Sequence, residues 1–387
     1  MNLKINMDCR FFRGDMPCAP HKKEGVKCDN CFHYSKYDTR ILIIKLAANG
    51  DVLRTTSILQ SIKSKYPNSH ITWLTELSAS MLLQSNPFVD RVITDPSIYI
   101  PMLLVEKYHW VINPDTDHKS CLLAALANAE KKSGFILGDS GVPVALSSEA
   151  EEWLQMGIWD DKKKGNQKTY QQILHEICSL PYQPHRPLLY LTEDEIDFAY
   201  RRLLQLGWIQ NPEKTVIGIN TGAGKRWKRK ALSVSIQKRL IQMIRDKHGD
   251  EVDIFLLGGP EEKEQNKYLK SIFGDQIVDT GTDNTLREFS AIVHHCDVLI
   301  TGDSLALHIG IALKKFVIVF FGPTSASEID LYGYGKKIIS DLPCQCCYLP
   351  DCNVQPACNE IDCTSEILDS LTHYIKKTSK RRKIQKN

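Results

Sequence analysis

The segment TGDSLALHIGIALKKFVIVFFGPTS, residues 301–325, decides the fold of this chain. It joins a short acidic turn, an apolar stretch of helix length, a continuous apolar run and a Gly-Pro turn. Val298–Thr301 and Phe316–Phe321 are β-branched and aromatic runs, which are typical of buried strands. Asp303 or Ser304 can cap the helix that lies between these runs. The segment therefore predicts a strand–turn–helix–strand unit.

The predicted turn has the features of an anion-binding site. The first amide groups of a helix have no partner within it, and they attract negative charge when the helix begins at the end of a parallel strand. His308 lies in the first turns of the predicted helix, close to that end. A buried histidine in a capped core helix is the alternative interpretation, because capped units of this kind are common.

The composition is that of a globular protein with two domains. The chain has 387 residues, of which 42% are hydrophobic and 25% are charged. It has no apolar run of about 18 residues, and its first residues lack the apolar core of a signal peptide. We therefore expect a cytoplasmic protein without a membrane span. We also expect no nucleic-acid partner.

Residues 376–387 form a basic tail. Its basic residues, which no acidic residue accompanies, are Lys376, Lys377, Lys380, Arg381, Arg382, Lys383 and Lys386. Blocks of like charge are commonly disordered and solubilising, which is one interpretation. The other is peripheral attraction to the anionic inner face of the membrane, at about 1 kcal/mol for each basic residue near the surface.

The thirteen cysteines occur mainly in two clusters, with four in residues 1–31 and six in residues 344–363. In a reducing compartment, clustered cysteines bind metal more often than they form disulfides. Cys121, Cys178 and Cys296 lie singly in apolar segments, and we interpret them as core residues.

We predict that residues 1–35 form a separate Cys-rich extension. Cys28 and Cys31 form a CxxC pair, and Cys9 and Cys18 precede them among glycines and prolines. A segment this short cannot bury a core of its own, so a metal ion would have to organise it. We predict a structural zinc or iron ion bound by these four cysteines, with four free thiols as the alternative.

Residues 36–188 read as an α/β domain. The strand ILIIKLAA is followed by Asn49-Gly50-Asp51 and by an amphipathic helix from Val52 to about Tyr66. A further helix is predicted at Lys119–Lys131 and a loop at Lys162–Asn166. Alternation of strands and helices predicts a parallel sheet with helices on both faces.

Residues 189–375 repeat this pattern. The strand Thr215–Asn220 precedes the glycine turn Thr221-Gly222-Ala223-Gly224 and a helix at about Ser233–Lys247, and the last helix is predicted at Thr364–Lys376. The fold class is therefore α/β, with two doubly wound Rossmann-like domains. Domains of this kind that face each other leave a cleft at the carboxyl ends of their strands, where ligands bind.

Four motifs, taken in order, resemble those of glycosyltransferase family 9, the ADP-heptose:lipopolysaccharide heptosyltransferases and their relatives. They are Asn49-Gly50-Asp51, the basic loop Gly224–Lys230, the turn Gly258-Gly259-Pro260-Glu261, and the opening segment with its Asp, Ser and His. The resemblance covers residues 40–365 and implies a GT-B fold. It implies inverting transfer of a heptose or similar sugar from a nucleotide-diphosphate donor, with ADP-heptose favoured, to a glycan or lipid-linked acceptor of the lipopolysaccharide-core type. No catalytic cofactor is implied.

The resemblance also implies roles for single residues. Asp51 is the general base that removes the proton of the acceptor hydroxyl, with N-capping of its helix as the alternative. Lys230 contacts the donor diphosphate, with a solvated basic loop as the alternative. The donor-binding residues are Gly50, Thr221, Gly222, Gly224, Lys230, Gly258, Gly259, Asp303, Ser304 and His308. Two positions depart from the family pattern, since Leu232 replaces a common aromatic residue and Leu305 a common glycine.

The second cysteine cluster lies in a loop at residues 343–363. Its spacing, Cys344-x2-Cys347-x4-Cys352-x5-Cys358, resembles a Cys loop found in many family members. In the related autotransporter heptosyltransferases, cysteines in this part of the chain hold iron. The resemblance therefore implies a structural zinc or iron ion, since four thiolates leave no position open for substrate. Disulfides or free thiols are the alternative.

Two other functions are compatible with the same fold. One is an interaction scaffold that keeps the GT-B fold and binds a partner through its cysteine modules. The other is a sugar-nucleotide epimerase. Titration with ADP, UDP and GDP distinguishes the scaffold from the glycosyltransferase, because a scaffold should bind none of these nucleotides. Release of nucleoside diphosphate only in the presence of an acceptor argues against the epimerase.

Overall fold

A computed structural model describes residues 4–224, 227–349 and 351–386, and their side chains apart from those of Lys228 and residues 380–386. Lys225 and Arg226, two cations of the basic loop, lie outside the described residues. So do most side chains of the predicted basic tail.

The chain divides into two compact units. The first comprises Met1–Leu154 and Gln171–His185, and the second comprises Gln155–Tyr170 and Arg186–Asn387. The pattern assigns residues 155–170 to the first domain, but they belong to the second unit. Contacts with that unit hold them there, such as the bond from the Tyr170 amide to the carbonyl of Glu328 at 3.0 Å.

The first unit contains a six-stranded sheet with the order β3-β2-β1-β4-β5-β6. Its strands are β1 Thr39–Ile44, β2 Ser69–Leu74, β3 Arg91–Ile93, β4 Lys107–Asn113, β5 Asn128–Leu137 and β6 Pro143–Ala145. Strands β1 to β5 are parallel, and β6 is antiparallel to β5. Four successive residues of β1, Ile41–Ile44, are fully buried, so both faces of this strand are covered.

The helices up to residue 177 are α1 Ala19–Glu24, α2 Asn49–Thr55, α3 Ile58–Lys65, α4 Leu77–Ser80, α5 Pro96–Val105, α6 His118–Leu126, α7 Ser148–Ile158, α8 Asp160–Gly165 and α9 Tyr170–Ile177. The single helix predicted from Val52 to Tyr66 is therefore two helices. The hydroxyls of Thr56 and Ser57 donate to the carbonyls of Leu53 and Arg54, and such bonds compete with the helical backbone pattern.

Two other predictions in this region are wrong. The helix predicted at Lys119–Lys131 ends at Leu126, and the following residues begin β5. Pairing with β4 overrides their helical propensity, and the Lys131 ammonium lies 4.4 Å above the centre of the Trp110 ring. The loop predicted at Lys162–Asn166 lies largely in α8. Aspartates in the first turn of α8 and lysines in its last turn complement the helix dipole.

The second unit contains a parallel six-stranded sheet with the order β12-β11-β10-β7-β8-β9. Its strands are β7 Thr215–Asn220, β8 Val252–Leu257, β9 Val278–Asp279, β10 Val298–Gly302, β11 Phe316–Phe321 and β12 Gly335–Ile339. Its remaining helices are α10 Glu193–Gln205, α11 Val234–His248, α12 Lys263–Phe273, α13 Leu286–His294, α14 Leu305–Ala312 and α15 Thr364–Lys386.

The strand–turn–helix–strand unit predicted from residues 301–325 is confirmed as β10, α14 and β11. Ser304 is the residue before α14, but its side chain makes no capping hydrogen bond there. The last helix, α15, continues past its predicted end at Lys376 into the basic tail. Among the described residues, no helix combines the length and apolar character needed to cross a membrane.

Candidate functional site

The predicted base, Asp51, lies in the first turn of α2, just beyond the carboxyl end of β1. The residue that precedes this helix is Ala48, so Asp51 is not its N-cap. The Asp51 carboxylate is 2.9 Å from the Arg54 guanidinium and 3.9 Å from the Lys45 ammonium. The Asp51 side chain is 36% exposed, whereas that of Lys45 is 3% exposed. A substrate can therefore reach the carboxylate, whose charge the two cations stabilise.

Asp115, which the sequence analysis missed, completes this group. It follows the end of β4, the strand next to β1, and its carboxylate accepts a hydrogen bond from the Lys45 ammonium. Burial raises the pKa of Asp115 above its usual value, and Lys45 opposes this shift. Two carboxylates thus share one buried lysine. A lysine within the apolar run ILIIKLAA, and an aspartate just after a predicted strand, were signals that could have found this group.

In the second unit, the structure brings Lys230 and Asp303 together. The basic loop ends in a 3₁₀ turn at Lys228–Lys230, and the Lys230 ammonium lies 2.9 Å from the carboxylate of Asp303 at the end of β10. Burial would raise the pKa of Asp303, but the charges of Lys230 and His308 outweigh it, so its pKa lies below the usual value. His308 is buried in α14. A cation, a histidine and the start of a helix therefore meet at one strand end.

Hydrogen bonds join the ends of β7 and β10 at this site. The Asn220 amide donates to the hydroxyl of Thr301 at 3.2 Å, to that of Ser304 at 3.3 Å and to the carbonyl of Gly222 at 2.6 Å. The Ser304 hydroxyl, which does not cap α14, is thus paired with Asn220 and with Thr301. The Thr221 hydroxyl is buried and donates to Asn266 at 2.6 Å, so its visible role is to hold the turn.

The glycines of the site allow close packing of its turns. A Cβ atom at Gly222 would lie 1.9 Å from the Glu262 carboxylate, and one at Gly258 would lie 2.9 Å from the Glu262 Cβ. The same carboxylate accepts a bond from the Gly259 amide at 2.8 Å. Gly224 has φ of +78°, which glycine adopts readily. Glu262, missed by the sequence analysis, therefore joins the two predicted glycine turns.

The family model described as "Glycosyltransferase family 9 (heptosyltransferase)" matches residues 101–357, more than half of the chain. The chain belongs to glycosyltransferase family 9. The family predicted from the four motifs is thereby confirmed, and this family 9 protein is a glycosyltransferase.

Known proteins similar to this family 9 enzyme include lipopolysaccharide heptosyltransferase 2 of Salmonella typhimurium. That relative is 20% identical over 330 residues, which are 78% of this chain and 87% of the relative. The structure of E. coli ADP-heptose lps heptosyltransferase II matches with a TM-score of 0.65 at 16% identity, covering 88% of this chain and 99% of that one. The iron-containing dodecameric glycosyltransferase TibC from enterotoxigenic E. coli matches with a TM-score of 0.51 at 11% identity, covering 87% of this chain and 78% of that one. These likenesses confirm the predicted GT-B fold.

The cysteines of each predicted cluster of the family 9 enzyme lie near one another, but in the residues that the structure describes they do not form a metal site. Cys9, Cys18, Cys28 and Cys31 line one cavity of about 350 Å³ with apolar side chains. Burial raises the pKa of Cys358, and the neighbouring thiols of Cys347, Cys352 and Cys344 add to this. In the described part of the chain, no three His, Cys, Asp or Glu side chains are gathered so that they could hold a metal ion. Cys121, Cys178 and Cys296 are buried as predicted.

Tyr348, which lies between Cys347 and Cys352 in sequence, is a further residue that the sequence analysis missed. Its hydroxyl accepts a bond from the Ser325 amide at 3.1 Å and donates to the Glu328 carboxylate at 3.3 Å. Burial, with the charges of Glu328 and Asp303, raises the pKa of Tyr348 well above its usual value. The Cys loop, residues 343–363, therefore contacts the segment that follows β11, the strand next to β10, which Asp303 follows.

Proposed function

We propose that this family 9 enzyme transfers a heptose, or a similar sugar, from ADP-heptose to a glycan or lipid-linked acceptor of the lipopolysaccharide-core type. The observation that carries the proposal is the Lys230–Asp303 pair at the start of α14, beside the glycine turns. A nucleoside diphosphate carries the negative charge that such a strand end binds. The names of the Salmonella and E. coli relatives support heptose and ADP as the donor groups.

The proposed reaction inverts the configuration at the anomeric carbon of the transferred sugar. Asp51 accepts the proton of the acceptor hydroxyl as its oxygen bonds to that carbon. The bond from the same carbon to the diphosphate breaks, and the electron pair leaves with ADP. Lys230, His308 and the first amides of α14 offset the charge of the leaving group. No step of this scheme requires a divalent metal.

Mass spectrometry of the products tests this function. The protein is incubated with a lipopolysaccharide-core acceptor and with ADP-heptose, UDP-glucose or GDP-mannose in turn. We expect the mass of one heptosyl group to be added to the acceptor with the ADP donor alone. Transfer of a sugar from one of the other two donors would show that ADP-heptose is not the donor. Binding of none of the three nucleotides would favour the scaffold, and an altered donor without transfer would favour the epimerase.

We also propose a cytoplasmic location with peripheral membrane contact through the basic tail. Lys376 and Lys377 are exposed on α15. Deletion of residues 376–387 should reduce sedimentation of the protein with phosphatidylserine vesicles at low salt. Equal sedimentation of the full and shortened chains would contradict this contact.

We further propose a structural zinc or iron ion in each cysteine cluster. The first four cysteines border one cavity, and Pro20 is the one residue described as buried between positions 4 and 38, so this extension has almost no core. Metal binding would draw these thiols together and stabilise the segment. Elemental analysis of anaerobically purified protein should give about two metal equivalents. Stoichiometry near zero would contradict both sites.

A further inference from the structure

The Cys loop is bonded to the turn that follows β11. The amide of Cys346 donates to the carbonyl of Gly322 at 3.0 Å, and the amide of Tyr348 donates to that of Pro323 at 2.8 Å. This turn belongs to the segment that carries Asp303. One side of the Cys loop is thus bonded to the end of β11, the strand next to β10, which Asp303 follows.

The other side of the Cys loop is bonded to the basic loop. The Arg229 guanidinium donates to the carbonyl of Cys352 at 3.5 Å. The Asn359 amide side chain donates to the carbonyl of Ala231 at 3.1 Å, and the Ser233 amide donates to the carbonyl of Asn359 at 2.9 Å. These bonds flank Lys230, the predicted phosphate contact, on both sides in sequence.

Tyr348 lies at the centre of this arrangement. Its ring meets the Trp227 ring of the basic loop edge-on at 6.1 Å, and the Lys163 ammonium lies 3.9 Å above the Tyr348 ring. Tyr348 and Cys346 have φ values of 52° and 62°. Such left-handed conformations are strained outside glycine, and they persist where the surroundings enforce them. The contacts of the Cys loop therefore hold two non-glycine residues in left-handed conformations.

We propose that the Cys loop is a positioning element of the donor site, and that Tyr348 is the residue through which it sets the position of the basic loop. Tyr348 holds the turn after β11 through its hydroxyl and the basic loop through its ring. The proposal rests on the proposed function, because it assumes that Lys230 binds the donor diphosphate. It extends that function to a part of the chain which contributes no catalytic group.

The test measures ADP binding by calorimetry, and kcat and KM for the donor, in Tyr348→Phe and Asn359→Ala. Loss of the Tyr348 hydroxyl leaves a buried amide and carboxylate without this partner, so we expect ADP affinity to fall about tenfold. The donor KM should rise similarly, while kcat at saturating donor stays within about threefold of wild type. Asn359→Ala should shift both values in the same direction by a smaller factor.

The control is Tyr334→Phe, the same change at a tyrosine whose ring packs against Phe316. It should leave ADP binding unchanged. Melting curves for each variant separate weaker binding from loss of fold. If wild type binds ADP and both Cys-loop variants bind it equally well, the positioning role is wrong. If wild type itself binds no nucleotide, the proposed function is wrong, and this inference falls with it.

Discussion

The two strand-end sites share a layout but differ in how they hold their carboxylates. In each site a lysine ammonium meets an aspartate near the start of a helix. The Asp51 side chain is 36% exposed and lies 3.9 Å from Lys45. The Asp303 side chain is 14% exposed and lies 2.9 Å from Lys230.

This difference in exposure indicates that the two carboxylates have different roles. A carboxylate that solvent can reach is able to take a proton from a substrate hydroxyl. A largely enclosed carboxylate with a lowered pKa, such as Asp303, is kept charged by its partner, and loss of that partner is costly. Asp51 is therefore suited to chemistry, whereas Asp303 is suited to holding Lys230 at the strand end.

The largest expected effect is that of Asp51→Asn. A general base contributes about 10²–10⁴ to the rate, and the amide keeps the shape of the carboxylate. We expect turnover to fall by this factor while the Kd for ADP stays within about twofold of wild type. Turnover assays and calorimetry check this. Unchanged turnover would exclude the base role and remove the contrast between the two sites.

The main expected effect of Lys230→Met is on the affinity for ADP. Hydrogen bonds to charged groups contribute about 1.5–3 kcal/mol, so we expect ADP affinity to fall roughly 10- to 100-fold. Lys214→Met is the matched control, since it removes a lysine that pairs with Asp253 at 3.2 Å. Binding like that of wild type in Lys230→Met would assign the phosphate contact to another cation of the basic loop.

Asp115→Asn tests how the shared lysine affects the base. The charged groups that face Asp51 include Lys45, Arg54 and Asp115. Asp115→Asn removes one of the two carboxylates that face Lys45, so less negative charge offsets the field of Lys45 at Asp51. We expect the acidic limb of kcat/KM to move to lower pH, with a severalfold lower rate at neutral pH. An unmoved profile would show that Asp115 has no influence on the base.

Cys28→Ser should have the smallest effect on catalysis. It should make residues 1–35 more sensitive to protease, because one thiol of the proposed metal site is lost. ADP affinity should stay within about twofold of wild type. Limited proteolysis and calorimetry check the two outcomes. Weaker ADP binding would show that the extension influences the donor site, which this account does not predict.

The regular elements near the sites were predictable because their signals are local. The sequences of β1, β10 and β11 are continuous apolar runs, which predict buried strands whichever strands lie beside them in the sheet. The break between α2 and α3 was not predictable in this way. It depends on whether two buried hydroxyls bond to the backbone, and the amphipathic pattern is the same in either case.

The residues of the sites were predictable only in part. Asp51, Lys230 and Asp303 stand in motifs, but Asp115 and Glu262 depend on neighbouring strands that are far apart in sequence. Tyr348 could not be found because its role follows from contacts with three separate segments. The family resemblance supplied roles to motif residues, and the partners of those residues required the structure.

We propose that one of the two strand-end sites performs chemistry and that the other binds the donor. Measuring ADP affinity and turnover side by side in Asp51→Asn and Lys230→Met tests this proposal. We expect a crossed result, in which Asp51→Asn loses turnover but binds ADP like wild type, and Lys230→Met loses ADP affinity. Parallel loss of affinity and turnover in both variants, or loss in neither, would contradict it.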